Sequence, residues 1–219
     1  MLICNNLKNI PLNSVPLSIF SYNEFLSEQD KNYFRNYKYF EQSRPDAAFI
    51  SNTYSLFDCE DLFLLKEKFN SAVRSFVENV LYAPDLQFRL VGSWCTKNVK
   101  GTYHPKHSHA NAMISVVTYF EDSIQPDGEI SSLLFHKDTF SNIFPNFLFS
   151  FIGTKISSWN IFNYETYAIK VKLNDVIVFP GHLEHSSEIC DNDSRFCIGA
   201  NYFITGEFGN NERKSLITL

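Results

Sequence analysis

Five of the six histidines fall in two short segments, and these segments carry the residues best suited to chemistry. The segments read His104-Pro-Lys-His107-Ser-His109 and His182-Leu-Glu-His185. Because side chains two residues apart in a strand point to the same face, His107 and His109 can bind one ion together. Imidazole nitrogens suit Fe(II), Zn(II), Ni(II) and Cu(II). His185 follows a buried apolar strand and a Pro-Gly turn, and it is the natural third ligand.

Arg195 lies ten residues after His185 and is the natural partner for an anion at such a site. Three ligands on one face of an octahedron leave the opposite face open, with two positions for a chelating 2-oxo acid and one for dioxygen. The planar guanidinium of Arg195 can hold the far carboxylate of that acid with two parallel hydrogen bonds. The acidic and small residues at 190–195 predict a hairpin that pairs the strands of His185 and Arg195. The pattern suits a mononuclear iron that shares an anionic co-substrate with a basic side chain.

The remaining histidines are expected to lie outside the ligand set. His136 is isolated in the sequence and is interpreted as structural. His104 and His182 are expected to lie beside the site or at the surface. Glu184 should point away from the metal, because neighbours along a strand face opposite sides.

The periodicity of the chain predicts strands braced by N-terminal helices. Apolar residues at spacings of three and four predict a helix of about six turns over 58–82, capped by Asp58, and a shorter helix is expected near 28–34. Strands are expected at 86–96, 113–120, 130–136, 167–173, 176–179, 184–190 and 195–204. We expect a mainly β fold, a barrel or jelly roll, with 1–85 as a helical and irregular support, 86–219 as the core, and one structural domain overall. Loops at 139–165 should cover the barrel mouth.

Composition limits the class of protein. The chain has 219 residues, a net charge of −5 and a 44% hydrophobic fraction, which suits one folded domain and argues against nucleic acid as a partner. No apolar stretch is long enough to span a bilayer, and the first ten residues show no leader pattern. The five cysteines form no CxxC pair, so we expect free thiols in the cytoplasm, with a Cys190–Cys197 disulfide as the lesser alternative.

Several ordered blocks of the sequence are similar to the 2-oxoglutarate- and Fe(II)-dependent oxygenase superfamily. The resemblance is greatest to a branch of uncharacterised bacterial and phage proteins with an H-x-H…H…R pattern, and it covers roughly residues 86–204. The blocks are Ser93-Trp94, Gly101, His107-Ser-His109, Ser115-Val-Val-Thr-Tyr119-Phe120, Phe179-Pro180-Gly-His-Leu183-Glu-His185 and Arg195-Phe-Cys197-Ile-Gly-Ala-Asn201.

The resemblance implies a fold, a ligand set and a reaction. The fold is a double-stranded β-helix, a cupin-like jelly roll of two facing sheets with the N-terminal helices packed on one of them. Fe(II) would be bound by His107, His109 and His185. The co-substrate 2-oxoglutarate would be bound by Arg195 and Tyr119, with dioxygen as the oxidant. A protein or peptide side chain, or a small molecule, would be hydroxylated. Candidates to line the pocket or support the ligands are Trp94, Tyr103, Asn111, Cys197 and Asn201.

Two departures from the superfamily pattern keep other functions open. His109 stands where most members have Asp or Glu, so three neutral ligands would leave the metal one unit more positive. Cys197 replaces a serine that often donates to the co-substrate, and a thiol donates weakly. One alternative is a three-histidine thiol dioxygenase or another cupin metalloenzyme that needs no 2-oxoglutarate, with Arg195 binding the substrate's carboxylate. Another is a non-catalytic metal-binding protein whose site holds zinc.

Overall fold

The computed structural model describes residues 15–121, 129–137, 164–191, 193–208 and 217–218. These ranges contain two α-helices and twelve strands. Most of the segment expected to form loops over the barrel mouth, residues 139–163, lies outside them. Neither described helix has the length and apolar character needed to cross a bilayer.

The two helices follow the sequence signals with one correction. Helix α1 spans Glu28–Arg35 and begins with a capping box between Ser27 and Asp30. Helix α2 spans Phe63–Asn79 and therefore begins later than the predicted start at Asp58. Residues Leu56–Asp58 and Glu60–Leu62 form two 3₁₀ turns instead, because the extended backbone of Cys59 separates them. The predicted cap at Asp58 is wrong.

The strands form two principal sheets and one small pair. The strands are β1 Ser18–Ser21, β2 Tyr39–Phe40, β3 Phe49–Ser51, β4 Gln87–Asn98, β5 Ile114–Glu121, β6 Glu129–His136, β7 Thr166–Lys172, β8 Asp175–Pro180, β9 His185–Ser187, β10 Arg195–Thr205, β11 Glu207–Phe208 and β12 Ile217–Thr218. The large sheet has the order β1-β8-β5-β10-β4-β3-β2, the second has the order β7-β6-β9, and β11 pairs with β12. Strands β1 to β3 come from the N-terminal region and form the two edges of the large sheet.

Alternation along the central strands divides the core into two layers. On β10, Phe196 and Ile198 pack against the helices, together with the buried residues of α2 such as Phe69. On β8, Ile177 and Phe179 point the other way and pack against the second sheet. The large sheet is thus covered by helices on one face and by the three-stranded sheet on the other. This arrangement confirms the predicted jelly roll with helices packed on one sheet.

The predicted pairing of the strands that carry His185 and Arg195 is wrong. Strand β9 pairs with β6, whereas β10 pairs with both β4 and β5. The residues of β10 are buried on both faces of the sheet. This strand therefore lies in the middle of the large sheet, between β4 and β5. The strands on either side of residues 190–195 therefore belong to different sheets. Neither Cys190 nor Cys197 forms a disulfide, so the alternative of a disulfide between them is wrong as well.

Candidate metal centre

Three histidine side chains converge between the two sheets. Each of His107, His109 and His185 offers a ring nitrogen, and these nitrogens all lie within 4.8 Å of one another. The Nε2 atoms of His107 and His109 are 3.2 Å apart. Ring nitrogens bind divalent first-row metals at about 2.1 Å, so neighbouring ligands on one octahedral face are separated by about 3 Å. The cluster therefore has the ligand type and approximate size that a single metal ion requires.

The backbone brings the two histidine segments together. His107 and His109 lie in an irregular segment between β4 and β5, not in a regular strand as the spacing suggested. The amide of His107 donates to the carbonyl of His185 (3.0 Å), and the amide of His185 donates back (2.9 Å). The amide of His109 donates to the carbonyl of Gly181 (2.8 Å). These three bonds attach the H-x-H segment to the chain at Gly181 and His185. The three histidine side chains therefore converge because of these backbone bonds and not because His107 and His109 lie in a regular strand.

Hydrogen bonds at Nδ1 select one tautomer for all three rings. The Nδ1 atoms of His107 and His185 lie 2.8 Å from the carbonyl oxygens of Pro105 and Leu183. The Nδ1 of His109 lies 2.7 Å from the side-chain oxygen of Asn201. Carbonyl and amide oxygens only accept, so each Nδ1 carries the proton and each Nε2 keeps its lone pair. Such outer partners orient the ligands and hold the rings in place for a metal.

The buried environment keeps these imidazoles neutral. Burial is the main cause that lowers the pKa of His109 to about 4 and that of His185 to about 2. Burial likewise lowers the pKa of His107. A histidine must lose its second proton before it can bind a metal. At neutral pH the three rings therefore hold no proton that would compete with the metal.

Gly181 allows the close approach of the two histidine segments, and its replacement should disturb the site. A Cβ atom at this position would lie 2.5 Å from the carbonyl oxygen of Ala112, so Gly181→Ala must shift the backbone that accepts from His109. We expect a loss of about 1–3 kcal/mol in the free energy of unfolding. We also expect a 10- to 100-fold weaker metal affinity, roughly the cost of losing an orienting partner. Denaturant titration and competition with a chelator measure the two effects.

Gly92→Ala is the matched control for that substitution. A Cβ at Gly92 would have only the carbonyl oxygen of Tyr54 within 4 Å, at an ordinary contact distance of 3.7 Å. This variant should bind metal as the wild type does. Equal metal affinity in Gly181→Ala and the wild type would contradict the role assigned to Gly181.

A narrow inner cavity of about 30 Å³ joins the histidines to Arg195. Arg195 is only 1% exposed, and its Nη2 donates to Ser187 Oγ across the gap between the sheets (2.7 Å). Its neighbour in register on β5 is Glu121, which is also buried. Tyr119 also lines this cavity. A buried, hydrogen-bonded guanidinium facing a metal cluster is a suitable receptor for a small dianion.

Tyr119 and Cys197 lie opposite each other in the register of β5 and β10, and both line the inner cavity. Burial raises the pKa of Tyr119 well above its usual range. The hydroxyl therefore keeps its proton and can donate to an anion. Burial also raises the pKa of Cys197, to about 11, so this residue is a neutral thiol at physiological pH.

The other predicted pocket residues fall in different places. Trp94 lines the inner cavity and a larger outer one, and its ring centroid lies 5.2 Å from that of His109. Asn111 is exposed at the outer cavity. Tyr103 lines neither cavity, and its hydroxyl accepts from Arg44 Nη2 (2.8 Å).

His104, which was expected beside the site or at the surface, lies beside it. It lines both cavities, its ring centroid is 4.4 Å from that of His107, and its buried Nδ1 has no partner among the described residues. Ser187 was not singled out from the sequence. Ser187 faces the inner cavity with His185, because it lies two residues further along β9. The spacing of two residues from His185 could have identified Ser187 from the sequence. The position of His104 beside the site depends on tertiary packing.

The remaining predicted positions lie away from the cluster. Glu184 forms an ion pair with Lys106 (2.6 Å) and is partly exposed. His182 is exposed. His136 Nε2 lies 2.8 Å from Ser186 Oγ, so this histidine braces β9 against β6.

Comparisons with known proteins identify the family. The family described as "Putative 2OG-Fe(II) oxygenase" matches residues 92–201, just over half of the chain, including both histidine segments and Arg195. A comparison with curated proteins gives no match.

Solved structures with a similar fold share little sequence with the chain. An oxidoreductase of the 2OG-Fe(II) oxygenase family from Burkholderia pseudomallei is 9% identical with a TM-score of 0.55, over 85% of this chain and 83% of that one. HygX from Streptomyces hygroscopicus, with nickel and 2-oxoglutarate bound, is 11% identical with a TM-score of 0.54, over 85% and 83%. A prolyl hydroxylase from Trichoplax adhaerens, in complex with a hypoxia inducible factor peptide fragment, is 13% identical with a TM-score of 0.55, over 88% and 85%. These likenesses confirm the fold, and the family match shows that the chain belongs to the 2OG-Fe(II) oxygenase family.

Proposed function

We propose that His107, His109 and His185 bind Fe(II) and that Arg195 and Tyr119 bind the far carboxylate of 2-oxoglutarate. One observation carries the proposal. Three Nε2 lone pairs, each oriented by a hydrogen bond at Nδ1, meet beside a cavity that His107 and His185 line together with the buried guanidinium of Arg195. The family match supports this function over the alternatives that need no 2-oxoglutarate.

Binding of the co-substrate requires a local exchange of hydrogen bonds. The inner cavity is narrow while Arg195 donates to Ser187. A carboxylate entering between them would accept from Arg195 in place of Ser187. The hydroxyl of Ser187, which donates to the carbonyl of Glu188 (3.0 Å), would turn to donate to the same carboxylate. Ser187 would then supply the hydroxyl that the superfamily pattern places at position 197. The weak donation expected from the thiol of Cys197 is offset in this way.

The residues of the chain bind and orient the co-substrate, and they exclude water from the site. Fe(II), when bound, supplies the oxidation of a substrate C–H bond coupled to conversion of 2-oxoglutarate and dioxygen to succinate and carbon dioxide. Arg195 fixes the far end of the co-substrate, so that its 2-oxo acid end points to the open side of the histidines. Trp94 and Tyr119 provide apolar walls that limit water at the site. The substrate is a protein or peptide side chain or a small molecule.

A reducing, cytoplasmic location is supported by the cysteines, because none of the four described ones forms a disulfide.

Anaerobic spectroscopy tests the proposal directly. Fe(II) and 2-oxoglutarate are added to the metal-free protein, and the visible spectrum is recorded. A weak charge-transfer band is expected only when both are present, because it requires direct contact of the metal with the 2-oxo acid. Zn(II) in place of Fe(II) should give no band. Stoichiometric Fe(II) binding without any band on addition of 2-oxoglutarate would contradict the proposal.

Removal of the Tyr119 hydroxyl should weaken co-substrate binding modestly. Tyr119→Phe keeps the ring packed in the inner cavity but removes one neutral donor. Since such a hydrogen bond contributes about 0.5–1.5 kcal/mol, we expect a roughly 2- to 12-fold higher dissociation constant for 2-oxoglutarate. Calorimetric titration of zinc-loaded protein measures it. Tyr103→Phe is the control, since that hydroxyl bonds Arg44 outside both cavities. An unchanged constant in Tyr119→Phe would remove Tyr119 from the co-substrate site.

A further inference from the structure

A second, outer cavity of about 420 Å³ lies on the other side of the histidines from Arg195. His104, His107 and Trp94 line both cavities and so form the partition between them. His109 lines the outer cavity. This volume lies within the range of ligand-binding pockets, which are typically about 300–1,000 Å³. A substrate in the outer cavity would therefore reach the metal side of the histidines without passing Arg195.

The outer cavity offers no ionic partner among the described residues that line it. None of them is Lys, Arg, Asp or Glu. Receptors for phosphates and carboxylates use cationic side chains, and a buried charge without a partner is costly. A substrate with a phosphate, carboxylate or ammonium group at the reacting end would gain no compensation there.

Asn201 lines this cavity, and its side-chain oxygen is already occupied by two donors. Its oxygen accepts from the Nδ1–H of His109 (2.7 Å) and from the hydroxyl of Ser115 (2.8 Å). Both bonds hold the oxygen inward, which leaves the Nδ2 group without a partner among the described residues. Asn201 is buried and lines the outer cavity, so this NH₂ group is a fixed donor beside a proposed metal ligand.

Gln42 supplies the complementary acceptor. Its Nε2 donates to the carbonyl of Ala48 (2.6 Å), which fixes the orientation of the side-chain amide. The Oε1 atom has no partner among the described residues, and Gln42 lines the same cavity. A neutral group with both an acceptor and a donor, as in a carboxamide or a peptide unit, matches one fixed donor and one fixed acceptor.

The remaining walls are apolar. The rings of Tyr54 and Trp94 lie 6.2 Å apart between centroids, and Ile50 and Val91 also line the cavity. Apolar walls with a few oriented polar groups are typical of sites that bind neutral organic ligands. We propose that the outer cavity binds the primary substrate through an uncharged amide group, which accepts from Asn201 Nδ2 and donates to Gln42 Oε1. This inference rests on the proposed function and names the substrate class for the same site.

A neutral amide probe tests the inference without requiring turnover. The protein is loaded with Zn(II) and 2-oxoglutarate, and N-acetylalanine methylamide is titrated while side-chain amide signals are followed by ¹H–¹⁵N NMR. The signals of Asn201 and Gln42 are assigned by their loss in Asn201→Asp and Gln42→Glu. We expect saturable shifts of both signals. Alanyl-alanine, which is zwitterionic, and adenosine monophosphate should bind at least tenfold more weakly.

Asn201→Asp separates recognition from support of the metal ligand. The carboxylate can still accept from His109 and Ser115, but it replaces the cavity-facing donor with an acceptor. We expect the affinity for the neutral probe to fall at least tenfold while the Fe(II)–2-oxoglutarate band persists. Asn111→Asp places the same charge at the exposed side of the same cavity, and it should lower the affinity less than threefold.

The outcomes distinguish this inference from the proposed function. Absence of the Fe(II)–2-oxoglutarate band in the wild type would overturn the proposed function. A normal band with no shift of the Asn201 and Gln42 signals would overturn the inference alone. So would tighter binding of either charged probe, or an equal loss of affinity in Asn201→Asp and Asn111→Asp.

Discussion

Replacement of His185 by alanine is expected to abolish stable metal binding. His185 is 5% exposed, and it is the only one of the three proposed ligands that comes from β9 and the second sheet. Loss of an outer partner of a metal ligand already costs about 10- to 100-fold in affinity, so loss of the ligand itself should cost more than about 100-fold. Anaerobic loading with Fe(II), desalting and measurement of the metal content test this expectation.

His182→Ala is the matched control for the His185 variant. His182 is a histidine three residues earlier in the same connection, but its side chain is exposed and lies outside the cluster. This variant should retain one equivalent of Fe(II). Stoichiometric Fe(II) in folded His185→Ala would show that the ligand set is wrong, and a circular dichroism spectrum equal to that of the wild type establishes the fold.

Replacement of Arg195 by alanine is expected to remove co-substrate binding while leaving the metal in place. Truncation of one partner in a buried charge pair typically costs 2 kcal/mol or more, so the dissociation constant for 2-oxoglutarate should rise at least about 30-fold. Fe(II) affinity should change less than threefold, because Arg195 is not one of the three proposed metal ligands. The charge-transfer band, titrated with 2-oxoglutarate, measures the first quantity, and chelator competition measures the second.

Two further variants make the Arg195 experiment decisive. Arg195→Lys keeps a positive charge at this buried position, and therefore keeps the test valid if the alanine variant fails to fold. It loses the planar two-point contact, so we expect affinity between those of the wild type and Arg195→Ala. Arg89→Ala removes an exposed arginine from neighbouring β4 and should have no effect. Unaltered 2-oxoglutarate binding in folded Arg195→Ala and Arg195→Lys would assign the carboxylate to another group.

The elements of the fold were largely determined by the local sequence. Alternating apolar residues in 195–204 predicted β10, and the repeat at spacings of three and four predicted α2, because both patterns follow from the geometry of one element. The start of α2 was wrong because Asp58 has the chemistry of a cap, whereas the extended backbone of Cys59 interrupts the helix before Phe63. The residue type at a position shows only whether it can cap a helix, and the surrounding packing decides where the helix begins.

The types of the residues and their order along the chain also predicted the chemistry of the candidate site. The H-x-H pair, His185 and Arg195 were selected because imidazole binds divalent metals and guanidinium binds carboxylates, and neither property depends on the fold. The structure brings the three histidines together and places Arg195 on the same cavity. Their roles as ligands and as a carboxylate receptor stay predictions for the variants above.

Tertiary structure alone decided how these residues meet. The sequence at 190–195 predicts a hairpin, yet β9 and β10 lie in different sheets, because β10 is buried on both faces and pairs with β4 and β5. The convergence of His107 and His109 comes from backbone bonds to His185 and Gly181, residues more than seventy positions away. The NH₂ group of Asn201 is held as a donor only because His109 and Ser115 both bond to the side-chain oxygen of the same residue. Such contacts depend on which distant segments pack together, and no local pattern in the chain encodes them.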